Sequence, residues 1–339
     1  MKVGVVEKPG VLKIEEREEP KLIQKTDVLI SVKRVGVCGS DIHIFHGKNP
    51  FAVYPRVWGH EFTGEVIAAG SSVTKVKTGD HVVVEPIISC GSCYACRQNR
   101  PNVCEKLQVM GVHIDGGCQE KFIAPESNVH LLPKELPWEE ACLVEPFTIG
   151  AQAAYRGNIQ PGDFVLVMGA GTIGLTVAQM AKLAGAIVMI SDVVESKLNY
   201  AKERGADYII NAAKENVMEK VKEITGGTGA NVTVDAVCNK KSFEDAILLT
   251  STAGRVVELS FNEIPSEIAP VNIIKKEITV CGSRLQTHRF PVVVDAIQQG
   301  KLPLKGFVTK TYPFRDMIEA FDFVDKNNAS VRKILISFE

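Results

Sequence analysis

Residues 164–174 read Phe-Val-Leu-Val-Met-Gly-Ala-Gly-Thr-Ile-Gly, an apolar run passing directly into Gly169, Ala170, Gly171, Thr172, Ile173 and Gly174. A short apolar run followed at once by G-x-G-x-x-G is a buried strand turning into a helix. The first glycine permits the tight turn, the second lets the backbone approach a pyrophosphate, and the third lets the helix pack on the sheet, with its N-terminus facing the anion. A second apolar run ends at Asp192, close to the distance expected of an acid that hydrogen-bonds a ribose hydroxyl. A 2′-phosphate there would meet like charge, and Val193 and Val194 supply no arginine, so NAD is expected rather than NADP. Lys197 is within reach of the same ribose edge, or else is a solvated helix lysine.

From this stretch outward, short apolar runs alternate with helical patterns: FVLVM, VMI before Ser191, YII at Tyr208, VTVDA at Val232, RVVEL at Arg255 and ITVCG at Ile278. The segments ESKLNYAKERGA and NVMEKVKEITGG carry helix formers and end in glycine, as crossover helices do. A doubly wound parallel sheet, a Rossmann domain, is expected. Residues 1–147 differ, with Val/Ile-rich runs, many glycines and prolines, and irregular segments, and read as mostly β. The apolar region from Phe164 to Ile190 is interrupted by Thr172, Thr176, Gln179 and Lys182, so it reads as strand, helix, strand and not as a membrane span.

The 339 residues, 45% hydrophobic and 23% charged, suit a globular protein with two domains. A formal net charge of -1 gives no electrostatic reason to expect nucleic acid or an anionic membrane as partner, so a small molecule is expected. Nine cysteines, an odd number, and an N-terminal stretch with acidic residues and no apolar signal core fit a reducing cytoplasm. Four of them, Cys90, Cys93, Cys96 and Cys104, crowd into CGSCYACRQNRPNVC. Spacers of two residues let consecutive thiolates reach one ion from a single loop, so a closed, structural zinc site is the direct reading, against four buried or disulfide-bonded thiols. Cys118, Cys142, Cys238 and Cys281 have apolar or small neighbours and are assigned no chemistry.

Upstream, Cys38 in VGVCGSDIH and His60 with Glu61 in WGHEFTG offer soft sulfur, imidazole and carboxylate, a ligand set for an open zinc site. On ligand types alone, a hydrogen-bonded His60–Glu61 pair and a core thiol at Cys38 are equally admissible readings.

The runs GVCGSDIH, GHEFTGEV, the cysteine lobe, LVEPF and GAGTIG, in this order and spacing, resemble the zinc-containing medium-chain dehydrogenases over essentially the whole chain. The resemblance implies a GroES-like catalytic domain from residues 1–147 and 285–339, carrying the structural zinc lobe at about 90–104, with a Rossmann NAD-binding domain, 148–284, inserted between. It implies that Cys38, His60 and Glu61 hold a catalytic zinc, with Glu145 of LVEPF a fourth ligand or joined through water. It also implies that Ser40 begins a proton relay and His43 continues it towards solvent, and that the protein is a homo-oligomer, dimer or tetramer. NPFAVYPRVWGHE and GVHIDGG are similar to runs of bacterial hexonate 5-dehydrogenases and of the starvation-sensing dehydrogenase group, and Ile44 stands where sorbitol dehydrogenases commonly place a tyrosine. The expected substrate is a sugar acid: L-gulonate first, L-galactonate second, with polyols and L-threonine as alternatives. Lys48, Arg56, His113 and Arg284 are the candidate cations for its carboxylate. Two readings of other classes are an NAD-sensing regulator without turnover and a zinc-ribbon binding module.

Overall fold

The computed structural model describes residues 1–339 except residue 328. The chain divides into two compact units, Met1–Glu145 with Leu304–Glu339, and Pro146–Pro303. The second division falls later than the 284/285 expected from sequence, and the reason is local. Beyond Arg284 the Thr287 N–H donates to Gln152 Oε1 at 3.1 Å, and the Arg289 guanidinium lies 4.4 Å from the centre of the Tyr155 ring, so the stretch that leads into the helix Phe290–Gln298 is tied to the helix Val144–Arg156.

Among the described residues of Pro146–Pro303, a six-stranded parallel sheet runs in the order Tyr208–Asn211, Ile187–Asp192, Phe164–Met168, Ala230–Asp235, Thr250–Glu258, Thr279–Gly282. All six apolar runs read from the sequence are therefore strands. They are nearly continuous in apolar residues because helices such as Thr172–Leu183 and Lys240–Leu249 pack against a sheet whose central strands have no solvent face. Val165, Leu166, Val167, Val188, Met189 and Ile190 are fully buried, each contributing about 1.5–3 kcal/mol relative to exposure. Strand order reverses between Phe164–Met168 and Ala230–Asp235, the point at which such sheets open a crevice at their carboxyl ends. Phe164–Met168, Thr172–Leu183 and Ile187–Asp192 form the strand, helix, strand that the sequence implied, and no helix among the described residues is long and apolar enough to cross a membrane.

The other unit is mostly β, as read. Among its described residues a seven-stranded sheet runs Val129–Leu131, His81–Val84, Glu61–Ala69, Asp27–Val37, Lys333–Ser337, Val308–Pro313, with Lys121–Pro125 also paired to Asp27–Val37. The antiparallel pairing of Asp27–Val37 with Lys333–Ser337 and Glu61–Ala69 sets Val37 opposite Ile334 and Gly36 opposite Glu61. That register brings residues from three distant parts of the chain to one end of the sheet.

Candidate functional site

At that end the strand Asp27–Val37 stops and the helix Gly39–Phe45 starts, with Cys38 as its N-cap. The turn is held by Asp41, whose Oδ2 accepts the Cys38 N–H at 2.9 Å. Asp41 is fully buried, and its other oxygen lies 3.4 Å from His60 Nδ1. Both atoms lack a properly aligned hydrogen bond, which leaves two unsatisfied polar atoms buried side by side. Nδ1 turned towards a carboxylate leaves Nε2 as the ring nitrogen available to an ion, the usual orientation of a metal-binding histidine. Burial by itself would lower the His60 pKa, but the charge of Asp41 and its neighbour Cys38 outweigh it and hold the ring well above its ordinary value.

One ligand atom from each of Cys38, His60 and Glu61 lies within 4.8 Å of the others. Glu61, at the start of its strand, is also gripped from behind: Lys333 Nζ donates to Oε1 at 2.7 Å and to Oε2 at 2.6 Å. Glu61 can therefore offer an oxygen to an ion only while sharing its carboxylate with a lysine. Burial would lower the Lys333 pKa, yet the charge of Glu61 outweighs it and holds the ammonium well above its ordinary value. Glu145 stands beside this group, 3% exposed. Burial, aided by the Glu61 and Asp41 carboxylates and opposed by His60 and Lys333, pushes its pKa up to about 8. A half-buried thiol beside a buried imidazole and buried carboxylates, with unsatisfied atoms among them, fits a zinc ion with room for a further ligand. Asp41 and Lys333 escaped the sequence reading. Asp41 is visible in retrospect as the acid three residues after Cys38, a capping position. Lys333, in the apolar strand KILIS, gave no such signal.

Ser40 and His43 share one face of the helix Gly39–Phe45, Ser40 half-buried and His43 exposed.

The four lobe cysteines bring their sulfurs within 4.8 Å of one another. Cys93 Sγ is 3.5 Å from Cys96 Sγ and 3.8 Å from Cys104 Sγ, far beyond a disulfide bond. Sulfurs placed about 2.3 Å from a central zinc at tetrahedral corners would stand about 3.8 Å apart. The set fits a closed zinc site, and none of the nine cysteines forms a disulfide. Backbone N–H groups of Ser92 and Cys93 draw the Cys90 thiol down to about 6, while burial and the neighbouring sulfurs push Cys96 up to about 11. Of the four thiols assigned no chemistry, Cys118 and Cys142 are core residues, whereas Cys238 and Cys281 are only half-buried.

In the parallel sheet, Gly169 takes a φ of +96°, which disfavours any residue with a Cβ, and a Cβ on Gly174 would collide with the Gly169 carbonyl. Gly171 has open space on the side where a Cβ would stand. The first helical bond runs from Leu175 N–H to the Gly171 carbonyl, so Thr172, Ile173 and Gly174 form the leading turn, the arrangement that receives a pyrophosphate. Asp192 ties this turn to the next strand: Oδ2 accepts the Ala170 N–H at 2.7 Å and Oδ1 the Val194 N–H at 2.8 Å. Beside it opens a cavity of about 700 Å³ lined by Met168, Asp192, Val193, Ala212, Met218 and Val237, of a size that holds a nucleoside. Lys197 lies half-buried in the first turn of the helix Glu195–Glu203.

The candidate cations have diverse surroundings. Lys48 is exposed. Arg56 is 13% exposed and is already paired, its Nη1 donating to Asp115 Oδ1 at 2.8 Å. His113 Nδ1 accepts the Val109 N–H at 3.1 Å, and its ring centre is 6.2 Å from that of Phe51. Arg284 lies over Phe261, 5.8 Å from the ring centre, and burial lowers its pKa.

Residues 24–134 match the alcohol dehydrogenase GroES-like domain family, and residues 172–299 match the zinc-binding dehydrogenase family. The chain is 38% identical to the starvation-sensing protein RspB of Escherichia coli K12 over 100% of its own length and 99% of the relative's. It is 35% identical to L-galactonate-5-dehydrogenase of the same organism, with 100% and 99% covered. The crystal structure of an alcohol dehydrogenase, rspB, from E. coli CFT073 in complex with NADH superimposes with a TM-score of 0.94 at 38% identity, covering 100% of this chain and 99% of that one. Zinc and NAD(H) are accordingly the cofactors of the chain. The chain belongs to the zinc-type medium-chain alcohol and polyol dehydrogenases.

Proposed function

We propose that the chain oxidises the C5 hydroxyl of a six-carbon aldonic acid with NAD, L-gulonate going to D-fructuronate. The observation that carries the chemistry is the convergence of half-buried Cys38 with buried His60 and Glu61 within 4.8 Å. In this reading these three hold the catalytic zinc, Glu145 joins directly or through water, and Cys90, Cys93, Cys96 and Cys104 hold the structural one. Bound zinc supplies Lewis acidity that brings the hydroxyl's pKa down towards neutrality, and bound NAD supplies the hydride acceptor. Asp41 holds the His60 ring in one orientation. Lys333 balances the charge of Glu61 where no water can. Ser40 takes the proton of the substrate hydroxyl, and His43, on the same helix face and exposed, passes it to solvent. Gly169 to Gly174 receive the pyrophosphate and Asp192 the adenosine ribose, with Lys197 at its edge.

The sugar-acid assignment is supported by the 35% identity to L-galactonate-5-dehydrogenase, which also favours a second reading, L-galactonate to D-tagaturonate. Lys48, Arg56, His113 and Arg284 are the groups proposed to meet the carboxylate, Arg56 only by sharing its guanidinium with Asp115. In this reading the enzyme is cytoplasmic, supported by nine cysteines none of which forms a disulfide, and a homo-oligomer, supported by the open edge strand Thr279–Gly282 with its exposed Val280. Initial rates of NAD reduction with both hexonates, sorbitol, threonine and simple alcohols test the assignment. The hexonates should lead in kcat/KM by about 100-fold or more, because a cation built for a carboxylate rejects a neutral analogue. Sorbitol or threonine as the best substrate would replace it, and no turnover of any alcohol would favour an NAD-sensing role.

A further inference from the structure

We infer that Asp115 is a positioning residue for the catalytic zinc site, acting through the backbone that delivers His60; the inference rests on the reading of His60 as a ligand. The segment Arg56–Gly59 has only the two-residue strand Arg56–Val57, paired with Val5 and Val6, to define its path before His60. Asp115 supplies the rest. Its Oδ1 accepts both the Val57 N–H at 3.1 Å and Arg56 Nη1 at 2.8 Å, and its Oδ2 accepts Arg17 Nη1 at 2.9 Å. Arg56 turns back on its own chain, its Nε donating to the Val53 carbonyl at 3.2 Å. One carboxylate thus joins the chain after the first hairpin, the approach to His60, and the loop 111–118.

Past Asp115 the loop runs against the same segment: Gly116 N–H donates to the Val57 carbonyl at 2.8 Å, Gly117 N–H to Gly59 at 2.7 Å and Cys118 N–H to Trp58 at 3.0 Å. A Cβ on Gly116 would strike the Gly59 carbonyl, so the two backbones are in direct apposition. The three carbonyls immediately before His60 are therefore all held by the loop that Asp115 anchors. The side chain of Asp115 is 40% exposed, so its charge is not a demand of the core. A carboxylate with two guanidiniums and a backbone N–H is a geometric clamp, and clamps of this kind fix ligand orientation from outside the coordination shell.

The test uses the zinc-loaded full chain and the variants Asp115→Ala, Asp115→Asn and His60→Ala. Two quantities are read: hydrogen–deuterium exchange of the peptide spanning 54–61, and the release of each zinc to a chelator, with the cysteine lobe as internal reference. Asp115→Ala should speed exchange in 54–61 and release of the non-lobe zinc about 10-fold each, with lobe release unchanged. Asp115→Asn, which keeps an acceptor for Val57, should recover most of both effects. Should Asp115→Ala fail to fold, Arg56→Met, which removes one arm of the clamp, is read in the same way. Unchanged exchange in 54–61, or equal loss of both zincs, would overturn the inference. Two zincs retained in His60→Ala would instead overturn the ligand reading, while the exchange arm still decides whether Asp115 clamps the segment.

Discussion

Lys333 Nζ reaches both carboxylate oxygens of Glu61, at 2.7 and 2.6 Å, with 2% and 1% of the two side chains exposed. The pair joins the strand Lys333–Ser337 to the start of Glu61–Ala69 in the floor of the candidate zinc site. Removing one partner leaves a buried charge alone, which costs about 3–5 kcal/mol. Lys333→Met should lower the unfolding free energy read from a urea titration by that amount, and Lys333→Met with Glu61→Gln should lose much less than the sum of the single changes. Additive losses in the urea titration would show that the two charges do not depend on each other.

Wild-type protein purified without chelators should carry two zincs per chain, one for each ligand group. Cys93→Ser should lose the lobe zinc and with it stability, since structural zinc binding is folding free energy. His60→Ala should keep the lobe zinc and the fold but abolish turnover. Elemental analysis, thermal unfolding and NAD reduction separate the two roles. An equal loss of folding in both variants would contradict them.

NAD should be strongly preferred to NADP, and Asp192→Ala should narrow the preference. Because Asp192 also accepts the Ala170 and Val194 N–H groups, the variant should bind NAD itself more weakly. A charge-assisted hydrogen bond of about 1.5–3 kcal/mol corresponds to about 10- to 150-fold in kcat/KM for NAD. Measurement of kcat/KM with both cofactors checks it, and wild type using NADP equally well would remove Asp192 from the role.

Arg284→Ala should raise the KM for a hexonate by about 10-fold or more while changing the KM for NAD little, since a cation that meets a carboxylate is what discriminates between acid and polyol. Steady-state kinetics with L-gulonate and sorbitol compare the two. A similar rise for both substrates would assign Arg284 to packing on Phe261.

Most of the fold is written in local patterns. Six apolar runs are six strands, and GAGTIG lies between a strand and a helix, because strand burial and the glycine turn depend on residues within one short window. The cysteine lobe is equally local, its four sulfurs falling on one loop between Cys90 and Cys104. The order of the strands and the late division at Pro303 depended on pairings that no short window contains.

The sequence by itself determined that four thiols crowd one loop and that a glycine turn follows a strand, because sulfur and glycine have few other reasons to occur at those spacings, but spacing alone did not join Cys38 to His60 and Glu61. Only the tertiary structure decided their company. Lys333 stands 272 residues from Glu61, and Asp115 stands 58 from Val57, so each pairing exists only because the sheet register and the loop path bring distant segments into one place. A buried charge must find its counter-charge wherever the chain returns to it, and chain order carries no record of that return.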